Sequence, residues 1–378
     1  MRILVTASPL MGHLRPMLPL LRAASAAGHE VVVATGPDLA RELQRRGYQT
    51  WSVGPAADEI FAARSAQRPA ADPTERVRRS ASVMFGQPGA ARARDLLPRV
   101  SRWAPDLVLH EITEVAGAEA AALTGAQEIV VGPTGEVGAA EALLPLVTAE
   151  LAAALRTPDR HRGIVVAPFL DPRVPALAPD RPTTFADVRP LRPELDEPQS
   201  RLPLRAQRFG GQTTVLLSLG RHGVREDTLL GALDGLRGFG LNVLLETGSD
   251  LDLTALGQLP RNVAVAPVID YARALPICHA VVGDGSAELT AGALAYGLPL
   301  VTLPRTPEQL ATARALHTLG VGLTVQPDHL RPGAVRRALA DVLADPAYAR
   351  AAGQQRAAIA ALPNAADLLA DLTLPIAA

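Results

Sequence analysis

The chain has 378 residues, 48% of them apolar and 20% charged, so a globular protein of about two domains is expected. The formal net charge of −1 provides no general attraction to nucleic acid or to an anionic membrane. All the Lys/Arg positions are arginine, which excludes Schiff-base lysines and the phosphate-binding lysine of P-loops. Cys278 is the single cysteine, so an internal disulfide is excluded and a cysteine-based zinc site is not expected.

The sequence predicts no targeting or membrane segment. The N-terminal residues, MRILVTASPL, lack the basic start and the long apolar core of a signal peptide. No apolar run reaches the roughly 18 residues that a membrane span requires. A cytoplasmic location without a membrane span is therefore expected.

The N-terminal half alternates short apolar runs with helical patterns, which is typical of a parallel α/β sheet. Strands are predicted at residues 3–7, 30–35, 50–53, 105–110 and 128–131, and helices at 17–27, 37–46, 116–123 and 143–155. Residues 8–15, SPLMGHLR, are predicted to form a loop after the first strand. Residues 56–101 are predicted to be helices and loops over the mouth of the first domain, where they either line a substrate cleft or form a solvated face.

The C-terminal half shows the same alternation after a Pro- and Arg-rich segment, residues 158–203, which is predicted to be an interdomain linker with irregular structure. Strands are predicted at residues 213–220, 242–246, 263–266, 280–282 and 298–303, and helices at 226–236, 272–275, 287–296, 331–344, 347–361 and 363–372. The domains are expected at residues 1–200 and 201–362, with a helix at 363–378 returning to the N-terminal domain. The predicted fold class is α/β, with two facing, doubly wound, Rossmann-like domains.

The most informative stretch is residues 280–322, where a strand, a glycine turn, a helix and a second strand follow one another. Gly283, Gly285 and Ser286 form the turn, and Gly297 followed by Pro299 ends the helix. Open α/β sheets bind ligands at such turns, where the N–H groups at the start of the helix favour an anion. A purely structural βαβ unit explains the same pattern, because a lone glycine turn is a weak signal.

Five segments carry a resemblance to a known family. They are GHLRP at residues 12–16, PDLVLHE at 105–111, LPRNVAVAPVIDYARALPICHAVV at 259–282, ALAYGLPLVTLP at 293–304, and Glu308–Gln309. In this order and spacing the chain resembles the GT-B glycosyltransferases, specifically the bacterial branch that decorates antibiotics and other natural products. The resemblance covers nearly all of the chain. It implies two Rossmann-like domains, a nucleotide-sugar cosubstrate, no covalently bound cofactor and no metal.

The resemblance assigns catalytic roles in the first domain. His13 falls at the family's usual general base, and Glu111, at the end of another strand, is the candidate carboxylate that fixes its tautomer. Two alternatives stay open: His13 only bonds its own loop, or His110 faces the cleft instead of Glu111. The hydrophobic acceptor is expected to contact Gly12, Met84, Phe85 and His110.

The resemblance places the donor, a dTDP- or UDP-linked hexose, on the second domain. Glu308 and Gln309 fall where the family has an acidic residue and a glutamine that bond the hydroxyls of the donor sugar. Arg221, with His222, follows a strand and could supply positive charge to the phosphates. The remaining donor contacts are expected from Gly220, Val268, Asp284, Gly285, Ser286 and Ala287.

The chain departs from the family in the donor loop, which is usually HGGxGT. Asp284 stands at the histidine, Ser286 at the second glycine, and Glu288–Leu289 at the later Gly–Thr. The Trp and Pro of the family's W-x-P segment fall at Val268 and Asp270. Carboxylates beside a helix N-terminus would repel a diphosphate. Alternatively, Asp284 caps the helix, or it binds a cationic group together with Glu288.

These observations predict inverting transfer of a hexose or deoxyhexose from a nucleotide sugar to a hydrophobic natural-product aglycone, with His13 as general base. The altered donor loop motivates an alternative: a homologue that has lost transfer and acts as an auxiliary partner or as an aglycone-binding enzyme of other acid–base chemistry. A nucleotide-sugar epimerase or a phosphorylase of the same fold is a third candidate, although a chain without lysine does not suit a pyridoxal-dependent phosphorylase. A homodimer stays open.

Overall fold

The computed structural model describes the chain except for residues 69, 136, 179–182, 221–225, 237, 249–250, 252, 327–330 and 374–378. The chain divides into two compact units. The first comprises Met1–Arg173, Pro179–Arg192 and Pro363–Ala378, and the second comprises Val174–Ala178 and Pro193–Leu362. The longest segment of the second unit therefore begins at residue 193, slightly before the boundary at residue 200 that the sequence predicts.

A parallel sheet forms the centre of the first unit. Its described strands are β1 (Arg2–Thr6), β2 (Glu30–Thr35), β3 (Gln49–Ser52), β4 (Leu107–Glu111), β5 (Gln127–Val131), β6 (Pro168–Asp171) and β7 (Asp187–Pro190), in the spatial order β3-β2-β1-β4-β5-β6-β7. The strand order reverses between β1 and β4, which pair with Thr6 opposite His110. In open α/β sheets, ligands bind beside such a reversal at the carboxyl ends of the strands.

Helices cover both faces of this sheet. The described helices up to residue 173 are α1 (Met11–Leu14), α2 (Leu18–Ala26), α3 (Pro37–Arg45), α4 (Ala57–Ala66), α5 (Pro73–Ala81), α6 (Gln87–Trp103), α7 (Ala116–Thr124), α8 (Val137–Leu155) and α9 (His161–Val166). Successive strand residues alternate between two cores: Leu4 lies in one, and Ile3 and Val5 lie in the other. This alternation follows from the two-residue period of a strand, and burial on both faces explains why the strands are almost entirely apolar.

The second unit is built on a second parallel sheet. Its described strands are β8 (Thr214–Ser218), β9 (Asn242–Glu246), β10 (Val263–Ala266), β11 (Ala280–Gly283), β12 (Leu300–Thr302) and β13 (Gly322–Thr324), in the order β10-β9-β8-β11-β12-β13. The described helices are α10 (Glu226–Leu236), α11 (Tyr271–Ala274), α12 (Ala287–Ala295), α13 (Pro307–Thr318), α14 (Pro332–Ala344) and α15 (Pro346–Ala360). Here the strand order reverses between β8 and β11.

The last described helix, α16 (Ala365–Thr373), belongs to the first unit. Leu368, Leu369 and Leu372 are buried in the same core as Leu18 and Leu21 of α2. Just before this helix, the backbone N–H of Arg192 donates to the carbonyl oxygen of Pro363 at 2.9 Å. The end of the described chain is therefore fixed to the first unit by apolar packing.

Several predicted boundaries are wrong. The predicted loop at residues 8–15 contains the short helix α1, and the predicted linker at 158–203 contains α9, β6 and β7. Strand β13 was not predicted. These elements have three to six residues, so each offers few positions from which a hydrophobic period can be recognised.

Helix α8 begins at Val137, earlier than predicted, and by length and composition alone it could cross a membrane. The sequence-based expectation was that no apolar run would be long enough. Leu144, Val147 and Leu151 of this helix are buried in a core of the first unit. One such helix is weak evidence for a membrane span, because the core helix of a globular domain passes the same test of length and composition.

Candidate active site

His13 and Glu111 meet beside the strand reversal of the first unit. His13 lies in α1, just beyond the carboxyl end of β1, and Glu111 is the last residue of β4. The Nδ1 atom of His13 lies 3.3 Å from Oε2 of Glu111. The His13 side chain is 26% exposed and that of Glu111 is 2% exposed. This pair, the His13–Glu111 dyad, presents an imidazole to solvent with a buried carboxylate behind it.

Thr113 holds the carboxylate of Glu111 in place. The Thr113 hydroxyl donates to Oε2 at 2.7 Å, and the Thr113 backbone N–H donates to Oε1 at 3.1 Å. Burial raises the pKa of Glu111, but the charge of His13 and the hydrogen bonds from Thr113 outweigh it, so the pKa lies below its usual value. Glu111 is therefore ionised at neutral pH and acts as an acceptor.

The environment of His13 prepares it to accept a proton. Burial lowers the pKa of His13, but the negative charge of Glu111 raises it more, and the pKa lies above its ordinary value. Because Nδ1 faces a carboxylate, the neutral ring carries its proton on Nδ1 and leaves Nε2 as the acceptor. The structure therefore brings His13 to Glu111 rather than to a bond within its own loop.

An aromatic side chain lies beside the base. The ring of Phe85 is 5.9 Å from the ring of His13, centroid to centroid. Phe85 belongs to a π-helical turn, Ser82–Gly86, which joins α5 to α6, and such turns are frequent at functional sites. The hydroxyl of Ser82 donates to Oε1 of Glu150 in α8 at 2.8 Å. This bond ties the turn to the core and holds Phe85 near the imidazole.

The other predicted acceptor residues have different surroundings. Met84 is half-buried in the same π-helical turn, and Gly12 is exposed with open space where a side chain would be. His110 is fully buried, so its side chain cannot contact an acceptor in this arrangement. The assignment of His110 to the acceptor is therefore not retained.

His110 instead supports the end of β4. Its Nε2 lies 2.9 Å from Oε1 of Glu128, and its Nδ1 lies 3.1 Å from the carbonyl oxygen of Glu111. Burial lowers the pKa of His110, but the hydrogen bond to Glu128 and its charge raise it more, so the pKa lies above its ordinary value. Both ring nitrogens face acceptor oxygens, which favours the imidazolium, and the ring supports the backbone of Glu111.

A buried ion pair lies close to the dyad. Arg92 of α6 pairs with Glu114, and both side chains are buried. Burial raises the pKa of Glu114, and the charge of Arg92 offsets only part of that rise. Sequence reasoning missed both residues, because Arg92 lies in an Ala- and Arg-rich segment where a buried arginine cannot be told from exposed ones.

The second unit has a similar site at its own strand reversal. Strands β8 and β11 pair with Ser218 opposite Gly283. Gly220 follows β8 with a φ of +95°, and Asp284 follows β11. A Cβ atom on Gly220 would lie 3.1 Å from Oδ2 of Asp284. Two of the predicted donor residues are thus brought together where open α/β sheets bind ligands.

The carboxylate of Asp284 is buried and surrounded by donors. Its Oδ1 accepts from the backbone N–H of Ser286 at 2.9 Å. Its Oδ2 accepts from Nε2 of Gln309 at 2.7 Å and lies 3.7 Å from Nη2 of Arg305. Asp284 does not cap α12, because Ser286 is the N-cap residue and makes no side-chain capping bond. The carboxylate instead joins the donor loop to the start of α13.

Gln309 is fixed at both ends of its amide. Its Oε1 accepts from the backbone N–H groups of Arg305 at 2.8 Å and Thr306 at 3.2 Å. Thr306 caps α13 in return, completing a capping box. Since Nε2 donates to Asp284, both polar atoms of the amide are bonded within the protein. In the predicted sugar-binding pair, Glu308 is the exposed member.

Comparisons with known proteins identify the family. Residues 238–374 match the family model described as erythromycin biosynthesis protein CIII-like, C-terminal domain. The elloramycin glycosyltransferase ElmGT of Streptomyces olivaceus is 32% identical over 400 residues, which cover 98% of this chain and 97% of that protein. The chain belongs to the antibiotic glycosyltransferases. A match to a named transferase over the whole length does not favour the alternative in which transfer is lost.

Solved structures of this class share the fold. The glycosyltransferase SnogD from Streptomyces nogalater has a TM-score of 0.78 at 25% identity and covers 98% of both chains. The glycosyltransferase VinC, solved in complex with dTDP, has a TM-score of 0.77 at 22% identity and also covers 98% of both chains. The predicted GT-B class, with two Rossmann-like α/β units, is confirmed.

The two departures of this glycosyltransferase from the W-x-P segment have different surroundings. Val268, at the place of the tryptophan, is 52% exposed. Asp270, at the place of the proline, caps α11 by accepting from the N–H of Ala272 at 3.1 Å. Its other oxygen accepts from the N–H groups of Gln199 at 2.6 Å and Ser200 at 3.0 Å. Asp270 thus holds the start of the second unit against the segment that follows β10.

Glu246, which sequence reasoning did not select, supports the same segment. It is the fully buried last residue of β9. Its Oε2 accepts from the hydroxyls of Ser218 at 2.5 Å and Tyr271 at 2.7 Å, and its Oε1 accepts from the N–H of Ile269 at 2.9 Å. An acid at the carboxyl end of a strand is the signal that could have identified it.

The remaining donor residues complete the loop. Gly285 has a φ of +83°, and a Cβ there would lie 3.1 Å from the carbonyl oxygen of Gln309. Ala287 is the half-buried first residue of α12. Arg221 and His222 lie outside the described residues. Within the part of the chain that the structure describes, no three or more His, Cys, Asp or Glu residues are grouped so that they could hold a metal ion.

Proposed function

We propose that this glycosyltransferase moves a hexose or deoxyhexose from a nucleoside diphosphate sugar to a hydroxyl group of a hydrophobic natural-product aglycone, with inversion at the anomeric carbon. The observation that carries the proposal is the contact between His13 Nδ1 and Glu111 Oε2 at the carboxyl ends of β1 and β4. The relative ElmGT is named as a glycosyltransferase of the antibiotic elloramycin, which supports an acceptor of this class.

In the proposed reaction, Nε2 of His13 accepts the proton of the acceptor hydroxyl while the hydroxyl oxygen attacks the anomeric carbon. The bond from that carbon to the diphosphate oxygen breaks in the same step, and the nucleoside diphosphate leaves. A single displacement inverts the anomeric configuration. Glu111 does not take the proton; its charge keeps the productive tautomer and stabilises the imidazolium that forms.

The acceptor is proposed to lie on the first unit beside the dyad. Phe85 and Met84 offer an apolar surface to the ring system of an aglycone. Gly12 is adjacent to the base in sequence, and its missing side chain leaves open space. The exposed face of His13 then meets a hydroxyl at the edge of a hydrophobic molecule.

The donor is proposed to lie on the second unit, at the loop that contains Asp284. We favour a thymidine diphosphate sugar over a uridine one, and the VinC complex with dTDP supports this choice. Glu308 is exposed at the start of α13, and we assign it to a hydroxyl group of the donor sugar. The diphosphate itself requires positive charge.

The dyad is tested by kinetics on two variants. We expect His13→Asn to lower kcat/KM by roughly 10²- to 10⁴-fold, as for loss of a general base. Affinity for dTDP, measured by calorimetry, should not change, because the proposed donor contacts are in the other unit. A His13→Asn enzyme that retains activity within a few-fold of wild type would exclude this base.

Glu111→Gln tests the electrostatic half of the dyad through pH. The base works as the neutral imidazole, so kcat/KM rises with pH through the pKa of His13. The charge of Glu111 raises that pKa against the effect of burial. Removing the charge therefore shifts the acidic side of the pH profile of kcat/KM to lower pH. We also expect the maximum value of kcat/KM to fall, because the imidazolium loses its counter-charge. An acid limb that stays in place would contradict this coupling.

A further inference from the structure

Three groups, one from the donor loop and two from at or just before the start of α13, converge on the carboxylate of Asp284. They are the backbone N–H of Ser286, Nε2 of Gln309 and the guanidinium of Arg305. Backbone N–H groups at a turn and an arginine fork are groups that proteins use to bind phosphate oxygens. In this chain, the place toward which these groups point is occupied by the carboxylate of Asp284.

The guanidinium of Arg305 is held beside the carboxylate of Asp284 by a second contact. Its Nη2 donates to the carbonyl oxygen of Leu219 at 2.6 Å, just beyond β8. At 3.7 Å from Asp284 Oδ2, the contact with the carboxylate is an ion pair and not a hydrogen bond. Turning the guanidinium toward another anion therefore breaks no hydrogen bond to Asp284.

Exposure and space also distinguish the two partners of this ion pair. The Arg305 side chain is 22% exposed and that of Asp284 is 3% exposed, so an anion from solvent meets the arginine first. Gly220 lies beside both groups, and a Cβ there would be 3.1 Å from Asp284 Oδ2 and 3.6 Å from Arg305 Nη2. A glycine at this position keeps the approach to the ion pair open.

We propose that Arg305 is the cation that binds the diphosphate of the donor, and that Asp284 is its placeholder. In the free enzyme the carboxylate holds the guanidinium in position, and it competes with the diphosphate for that charge. This inference rests on the proposed function, because its ligand is a nucleoside diphosphate. It explains how a donor loop with an acid at the family's histidine position can still hold a diphosphate.

Calorimetric titration of the full chain with dTDP, and separately with UDP, tests the two roles in opposite directions. We expect Arg305→Met to weaken dTDP binding roughly 10-fold or more, the cost of losing a charged hydrogen-bond partner. We expect Asp284→Asn to strengthen it several-fold, because a repelling charge is removed. Arg314→Met is the matched control: Arg314 is exposed on α13, the helix that begins two residues after Arg305, and its loss changes net charge equally.

The outcomes separate this inference from the proposed function. If Arg305→Met and wild type bind dTDP equally well, Arg305 is not the diphosphate cation, while nucleotide-dependent transfer stands. Weaker binding by Asp284→Asn overturns the placeholder role. If wild type binds neither nucleotide at millimolar concentration, a gain of binding in Asp284→Asn supports the inference. If Asp284→Asn does not bind a nucleotide either, the result contradicts both this inference and the donor half of the proposed function.

Thermal unfolding of each variant checks that it is folded before titration. Arg305→Gln serves as a second variant that removes the charge but retains a polar side chain. If Arg305→Met does not fold, the comparison of Arg305→Gln with wild type decides the question. Weakened dTDP binding supports the assignment, and unchanged binding overturns it.

Discussion

Thr113 determines the state of the carboxylate that faces the base. Its hydroxyl donates to one carboxylate oxygen of Glu111, and its backbone N–H donates to the other. Since these bonds favour the charged form, they help to keep the pKa of a buried acid low. Thr113 touches neither substrate in the proposed reaction, so we class it as a positioning residue.

Two substitutions of Thr113 distinguish the effect of its hydroxyl group from the effect of its side-chain volume. Thr113→Val keeps the volume and removes the 2.7 Å bond to Glu111, which we expect to lower kcat roughly 10-fold with little change in acceptor KM. Thr113→Ser keeps the hydroxyl and should remain close to wild type. Steady-state kinetics over a range of pH measures both. Equal activity of the two variants would show that the hydroxyl does not position Glu111.

At this scale the sequence could identify residues that lie at strand ends within a motif. His13 follows the first strand in GHLRP, and Glu111 ends PDLVLHE, so neighbouring strands in a parallel sheet bring them together. The burial of Arg92 and of His110 could not be predicted. It depends on how α6 and β5 pack against the end of β4, and a single sequence carries no signal for that packing.

At the scale of elements, α6 is joined to the turn after β4 by the ion pair between Arg92 and Glu114. A buried ion pair gains little over apolar packing, but removing one partner leaves an uncompensated charge. Helix α6 also follows the π-helical turn that carries Phe85. The ion pair therefore connects the stability of the first unit with the position of this aromatic ring.

We expect Arg92→Met to lower the free energy of unfolding by about 3–5 kcal/mol at neutral pH. The buried Glu114 has a raised pKa already, and losing Arg92 raises it further. A folded-state pKa above the unfolded one costs stability as the pH rises through it, so the loss should shrink toward acid pH. Denaturant unfolding measures this. The double variant Arg92→Met/Glu114→Gln should recover part of the loss, and no recovery would contradict a charge origin.

Elements with a clear apolar pattern could be predicted, whether they are long or short. Helix α10 and strands β2, β9 and β10 have the predicted bounds. The short strands β6 and β7 could not be recognised because each contains a proline at one end and lies in a Pro-rich segment. Tertiary pairing decides such elements, since β6 pairs with β5 on one side and β7 on the other.

At the scale of the whole molecule, the two units follow one plan. Each has a parallel sheet that reverses its strand order once, and each reversal holds one of the two candidate sites. The general rule for open α/β sheets predicts both places from strand order. What the rule does not predict is the chemistry there: an acid–base dyad in the first unit, and in the second an arginine paired with an acid.

The most direct test of the account is the configuration of a product. The enzyme is incubated with dTDP-α-D-glucose or UDP-α-D-glucose and a panel of hydroxylated aromatic aglycones, and the glucoside is analysed by proton NMR. We expect a β-linked product, formed with release of nucleoside diphosphate and lost in the His13→Asn variant. An α-linked product, or a β-linked product formed equally well without His13, would contradict direct displacement assisted by the dyad.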